Sequence, residues 1–194
     1  MESILNNIDV FINEVLLGLG IYGPILGCIL IVIESILPFL PLCVFITILF
    51  ISYGPIFGFI LSWIFTLVGC NLSYFLSKKF LKNQFNKKFK KYDKIAKITK
   101  IIENLTFEQL ALIVAIPFTP AFLVNIASGI TETPYKKYFW AMFIGKIFMV
   151  YFWGFVGLTF MECLQNPISF IKILILLLIA FVLSKIINKK FKLE

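Results

Sequence analysis

Six of the chain's prolines fall into two triplets with the same spacing, Pro38, Pro41, Pro55 and Pro117, Pro120, Pro134, each member 79 residues from its counterpart. Both triplets open on Pro-Phe-x-Pro, as Pro38-Phe39-Leu40-Pro41 and Pro117-Phe118-Thr119-Pro120, and both lie in strongly apolar surroundings. Proline lacks a backbone donor and clashes with the preceding turn, so two prolines three apart break a helix rather than bend it. A chance recurrence of the doublet in an Ile/Phe-rich chain is the plain reading. The third matched proline favours an internal repeat, and broken helices at matching positions of two halves mark the site of many membrane transporters.

The surroundings fix the solvent. The chain of 194 residues is 60% hydrophobic with a mean hydropathy of +0.98, well above a soluble domain. The sequence therefore predicts an all-α integral membrane protein forming one domain. Met1 to Glu14 carries Glu2, Asp9 and Glu14 but no lysine. That is unlike the positive start of a cleavable signal, and residues 1–14 are read as a retained interfacial helix. Val15 to Ile33 is free of charge and long enough for one crossing. Further crossings are expected at 56–76, 138–161 and about 167–187. The first repeat covers 15–77, with a re-entrant hairpin at about 34–54. The second covers 105–162, with a hairpin at about 108–134.

Between the repeats, residues 78–104 hold ten lysines against Asp93 and Glu103. Leu81, Phe85, Phe89, Tyr92, Ile95 and Ile98 recur every three or four positions there, the pattern of an amphipathic helix with a basic face. Nucleic-acid binding is the sharper reading of such a run. Cytoplasmic retention and contact with anionic lipid headgroups explain it more simply. The C-terminus is also Lys-rich, so connector and C-terminus share the cytoplasmic side. Two crossings lie between them, and the second proline segment must then enter and leave from that side. If the first is likewise re-entrant it opens outward, and the N-terminus is cytoplasmic. Four crossings and two opposed hairpins, an inverted repeat, result. Reading every segment as a full crossing gives six, with the same termini.

The 18 basic residues are all lysine, and there is no arginine and no histidine. Cys28, Cys43, Cys70 and Cys163 are scattered in apolar sequence and read as buried small hydrophobes. No cofactor or metal is expected, and the missing acid/base groups argue against an enzyme. Glu34, four residues before Pro38, is an ionisable group at membrane depth and a candidate for proton binding or substrate contact; solvation at the outer interface is the alternative. Lys146, eight residues into its crossing, either snorkels to the headgroups or pairs with Glu34 or an anionic phosphate. Asn125 and Gly129 follow the second doublet, one able to satisfy broken backbone and the other to allow close approach. Asn71 and Tyr74 are polar groups on the crossing towards the connector, equally suited to helix–helix adhesion.

Glu34 with Pro38-Phe-Leu-Pro41, the stretch Gly69…Tyr74…Lys78, and Pro117-Phe-Thr-Pro120 with Asn125 and Gly129 resemble the DedA family and the wider VTT-domain (SNARE-associated Golgi protein) superfamily, closer to the VTT branch. The likeness covers about residues 22–160. It implies two opposed re-entrant hairpins and a role in moving lipids, phospholipid or polyprenyl phosphate, across the cytoplasmic membrane with proton-motive force involved. The chain departs from the family at Leu42 and Cys43, where Gly and an acid are frequent, and at Val114, where an Arg is frequent. Lys146 is the candidate replacement for that positive charge. The expectation is a lipid translocase or scramblase of the bacterial cytoplasmic membrane, possible coupling running through Glu34. A proton- or ion-coupled small-solute transporter is the alternative, and a lipid-modifying membrane enzyme ranks behind both. Membrane lipids are the expected partners, nucleic acid is not, and a homo-oligomer is compatible with the chain.

Overall fold

A computed structural model describes residues 22–37, 41–82, 93–119, 121–165 and 169–191. The expected interfacial helix 1–14, residues 15–21 of the first expected crossing, residues 83–92 of the Lys-rich connector, Pro38 and Pro120 lie outside the described residues. The described elements are helices α1 (Tyr22–Glu34), α2 (Leu42–Leu76), a π-helical turn (Ser77–Leu81), α3 (Asp93–Asn104), α4 (Phe107–Ala115), α5 (Ala121–Ile130), α6 (Tyr135–Gln165) and α7 (Ser169–Phe191). The all-α membrane fold read from the sequence holds. Among the described residues three stretches are long and apolar enough to cross a membrane, Leu42–Leu81, Tyr135–Phe160 and Phe170–Ile187.

The first of these is broken. Gly54 has φ 76° and ψ 170°, a backbone region essentially closed to residues with a Cβ, and Pro55 follows at once. In a straight helix residues eight apart sit about 12 Å apart. Here a Cβ on Gly58 would lie 2.6 Å from the Leu49 carbonyl oxygen and the Phe50 Cα. The segment 42–53 therefore doubles back along the start of the segment 55–76, and only the latter spans.

The segment 42–53 pairs with α1. A Cβ on Gly27 would sit 3.6 Å from Leu49, and these residues are equally distant in sequence from Pro38, so α1 and 42–53 are the arms of a hairpin. Its tip rests on the long segment, where a Cβ on Gly69 would lie 2.6 Å from Ser35 Oγ and 3.0 Å from the Val32 Cα. The expected boundaries shift accordingly. The hairpin begins within the apolar run 15–33 that the sequence assigned to a crossing, and Glu34 stands at the end of its first arm instead of at its base. A charge-free run reads alike in either role.

The second hairpin repeats the plan. Thr106 caps α4 with a full capping box: Gln109 N–H donates to Thr106 Oγ1, and Thr106 N–H donates to Gln109 Oε1 at 2.9 Å. A turn at 116–119 leads towards α5. The tip of α4 rests on α6, where a Cβ on Gly145 would lie 2.7 Å from the Ala111 carbonyl oxygen and 3.1 Å from Val114 Cβ. Val32 and Ser35 on Gly69, and Ala111 and Val114 on Gly145, are the same pair of positions 79 residues apart. The base of this hairpin lies against the end of α2, a Cβ on Gly129 falling 2.5 Å from the Tyr74 carbonyl oxygen. The base of the first is at Gly54, the other end of the long segment. The hairpins thus open at opposite ends of the spanning helices.

Candidate functional site

Where the long helices cross, Trp63 Nε1 donates to the Phe143 carbonyl at 3.1 Å, and the two rings meet edge to face at 4.5 Å. On one side of the crossing the first hairpin packs Ile31, Phe45, Ile46, Leu49 and Phe50 against Met149 and Val150. On the other, the second hairpin packs Leu110, Ile113, Val114 and Val124 against Leu67, Cys70, Tyr138 and Met142. Trp63 borders both clusters.

Lys146 lies in α6 beside this crossing, next to Gly145 where the second tip is seated. The side chain is 2% exposed, so it does not snorkel. Its Nζ donates to Met149 Sδ at 3.3 Å, and a thioether is a weak acceptor. Glu34, at the tip of the first hairpin and half-buried, is near enough for the Lys146 charge to act on it. No ion pair within 4 Å joins them: among the described residues the ion pairs are those of Glu132 with Lys78 and Lys82. A buried ammonium with one soft contact and a carboxylate at longer range is costly to hold empty-handed. The arrangement is suited to an anionic group entering between them.

The second tip adds strain. Phe118, inside Pro117-Phe118-Thr119, has φ 71°, unusual for a bulky residue. Its ring is held edge to face by Trp153 at 5.5 Å and Phe181 at 6.4 Å. Pro117 is buried at this turn, and the Thr119 hydroxyl is buried without a partner. Pro41, by contrast, is exposed and precedes α2 in extended conformation.

Three of the sequence candidates gather elsewhere, at the connector end. Tyr138 OH lies 2.9 Å from Asn125 Oδ1 and 2.8 Å from the Cys70 carbonyl and donates its single proton to one or the other. Tyr74 OH donates to the Thr133 carbonyl at 2.8 Å, and its ring stacks on Tyr138 at 4.6 Å. With Gly129 seated on Tyr74, these contacts tie the base of the second hairpin to α2 and α6. Asn71 is separate again. Its amide donates to the Leu67 carbonyl at 2.7 Å, and it lines an apolar groove of about 430 Å³ with Trp63, Leu67, Phe75 and Phe143. Neither Glu34 nor Lys146 lines this groove. The candidates thus divide into a charged pair at the centre, a polar tie at one end and a lone amide on the groove. Sequence reasoning missed Tyr138, Met149 and Trp63. Only the near-repeat offset between Trp63 and Phe143 hinted at any of them.

The fold and the central pair define a helical membrane protein built as an inverted repeat, with charged groups beside a hairpin tip. The VTT domain matches residues 37–159, more than half of the chain, and the chain belongs to that family. It is 28% identical over 166 residues, 85% of its length, to the uncharacterized membrane protein YhjE of Bacillus subtilis (strain 168), covering 80% of that protein. No solved structure matches it.

Proposed function

We propose that the protein is a lipid translocase or scramblase of the bacterial cytoplasmic membrane, passing phospholipid or polyprenyl-phosphate headgroups between the leaflets while their chains stay in the bilayer. The observation that carries this reading is Lys146, buried at the helix crossing with Met149 Sδ as its near contact and the Glu34 charge beyond. A headgroup phosphate would supply the anion that the ammonium lacks. Glu34 would exchange a proton as the headgroup enters or leaves. The two hairpins reach in from opposite ends, so a headgroup would have to cross only the span between their tips. Lys78, Lys79 and Lys82, at the connector end, would gather anionic lipid on the cytoplasmic leaflet, each worth about 1 kcal/mol near the surface. Both termini would then be cytoplasmic. The proposal involves no covalent chemistry.

The test is reconstitution into liposomes carrying a fluorescent phospholipid or a labelled polyprenyl phosphate, with and without a proton gradient. Label equilibrates between leaflets faster than in protein-free vesicles. Equal rates under every condition contradict the proposal.

A further inference from the structure

The two hairpins match in plan but not in attachment. The second is tied at its base by directed polar contacts. Tyr138 bonds Asn125, Tyr74 bonds the Thr133 carbonyl, and Glu132 pairs with Lys78 and Lys82. The first has none of these. Among its described residues the side-chain hydrogen bonds are internal, Ser35 Oγ donating to the Ile31 carbonyl at 3.2 Å and Thr47 Oγ1 to the Cys43 carbonyl at 2.7 Å. Among the described residues no side-chain hydrogen bond or ion pair joins it to another element.

Glycines back the first hairpin where it touches the long helices. Added Cβ atoms would lie 2.6 Å from Ser35 at Gly69, 2.3 Å from the Phe50 ring at Gly154 and 1.7 Å from Thr47 Oγ1 at Gly157. The second hairpin is seated on glycines as well, at Gly129 and Gly145, so close seating is common to both and the difference lies in the polar ties and in the joint. The single covalent link between its second arm and the spanning helix is Gly54–Pro55, with Gly54 in its glycine-only conformation and nothing within 4 Å of its Cβ position. Few directed contacts and an open glycine joint are the marks of a unit that moves separately from its scaffold.

We infer that the first hairpin is the moving part of the molecule, swinging about Gly54–Pro55 against α2 and α6 while the second hairpin stays fixed to them. The motion carries Glu34 relative to Lys146, which is anchored in α6. This inference goes beyond the lipid reading and does not depend on the cargo: a protein that moved no lipid at all could still show the motion.

Electron–electron distance measurements in nanodiscs test it, with the four native cysteines replaced by alanine and spin labels at two pairs of exposed positions. Val44→Cys with Phe148→Cys reports on the first hairpin, and Leu112→Cys with Phe148→Cys on the second. The first pair gives a broad or two-peaked distribution and the second a single narrow one. Equal widths, or a broader second pair, overturn the inference. Should the cysteine-free protein not fold, the same pairs are placed in a chain that keeps the buried Cys28 and Cys70 and replaces only Cys43 and Cys163, and equal widths, or a broader second pair, overturn the inference there too.

Discussion

The Trp63 indole and the Phe143 carbonyl, 80 positions apart in sequence and 3.1 Å apart in space, mark the place where the two halves of the repeat cross. Each helix carries the tip of its own hairpin on a nearby glycine, Gly69 six residues after Trp63 and Gly145 two residues after Phe143. The charged residue Lys146 comes one turn after Phe143. The crossing thus fixes where a charge can be buried and which hairpin tips can reach it.

Replacing Trp63 by Phe keeps a ring against Phe143 and removes the donor. The loss is expected to be about 1 kcal/mol, read as a lower thermal midpoint in detergent with helix content unchanged.

Gly54 and Gly27 make a paired test of conformation against space. Gly54→Ala meets no neighbour but must adopt a φ of 76°, and should cost about 1–3 kcal/mol. Gly27→Ala meets Leu49 at an ordinary 3.6 Å within a helix. It should be neutral or gain up to about 1 kcal/mol. Midpoints from the same denaturation series compare the two.

The Tyr138–Asn125 pair should behave as a unit. Tyr138→Phe leaves the buried Asn125 amide oxygen without its donor, and about 1–3 kcal/mol is expected to be lost. In a double-mutant cycle with Asn125→Leu, the double variant loses less than the sum of the single ones. Strict additivity would show that the two do not interact.

Glu132 supplies the pH dependence. The hydrogen bond and charge of Lys82, with Lys78 beyond, hold its carboxyl below the usual carboxylate range in the folded protein. The unfolded chain therefore binds the proton more readily. The pair's contribution is complete above the unfolded pKa and is lost as pH falls through the lower folded value. The group is exposed, so the effect is small and shrinks at high salt. Thermal midpoints of wild type and Glu132→Gln should differ at neutral pH and converge in acid.

Much of this fold was legible because proline acts locally. Two matched doublets in apolar sequence announce two broken helices, while the lysine distribution alone fits six full crossings as well as two opposed hairpins. What was not legible depends on contacts between distant segments. The apolar run ending at Glu34 reads alike as a crossing or a hairpin arm. It takes the doubling back at Gly54, where Gly58 meets Leu49 and Phe50, to decide. Lys146 could as well have snorkelled, since nothing in its own helix says which neighbours cover it. Asn125 was visible as a polar residue after the doublet. Its partner Tyr138 was not, because the bond forms only once α6 is laid against α5.

The central claim, that Lys146 receives an anionic headgroup between the hairpins, is tested most directly by lipid movement in liposomes containing wild type or Lys146→Met, a substitution of similar length that removes the charge. With equal amounts of folded protein reconstituted, wild type is expected to equilibrate a fluorescent anionic phospholipid between leaflets well above the protein-free rate, and Lys146→Met to fall to near that rate. Equal rates for the variant and the wild type would contradict the account.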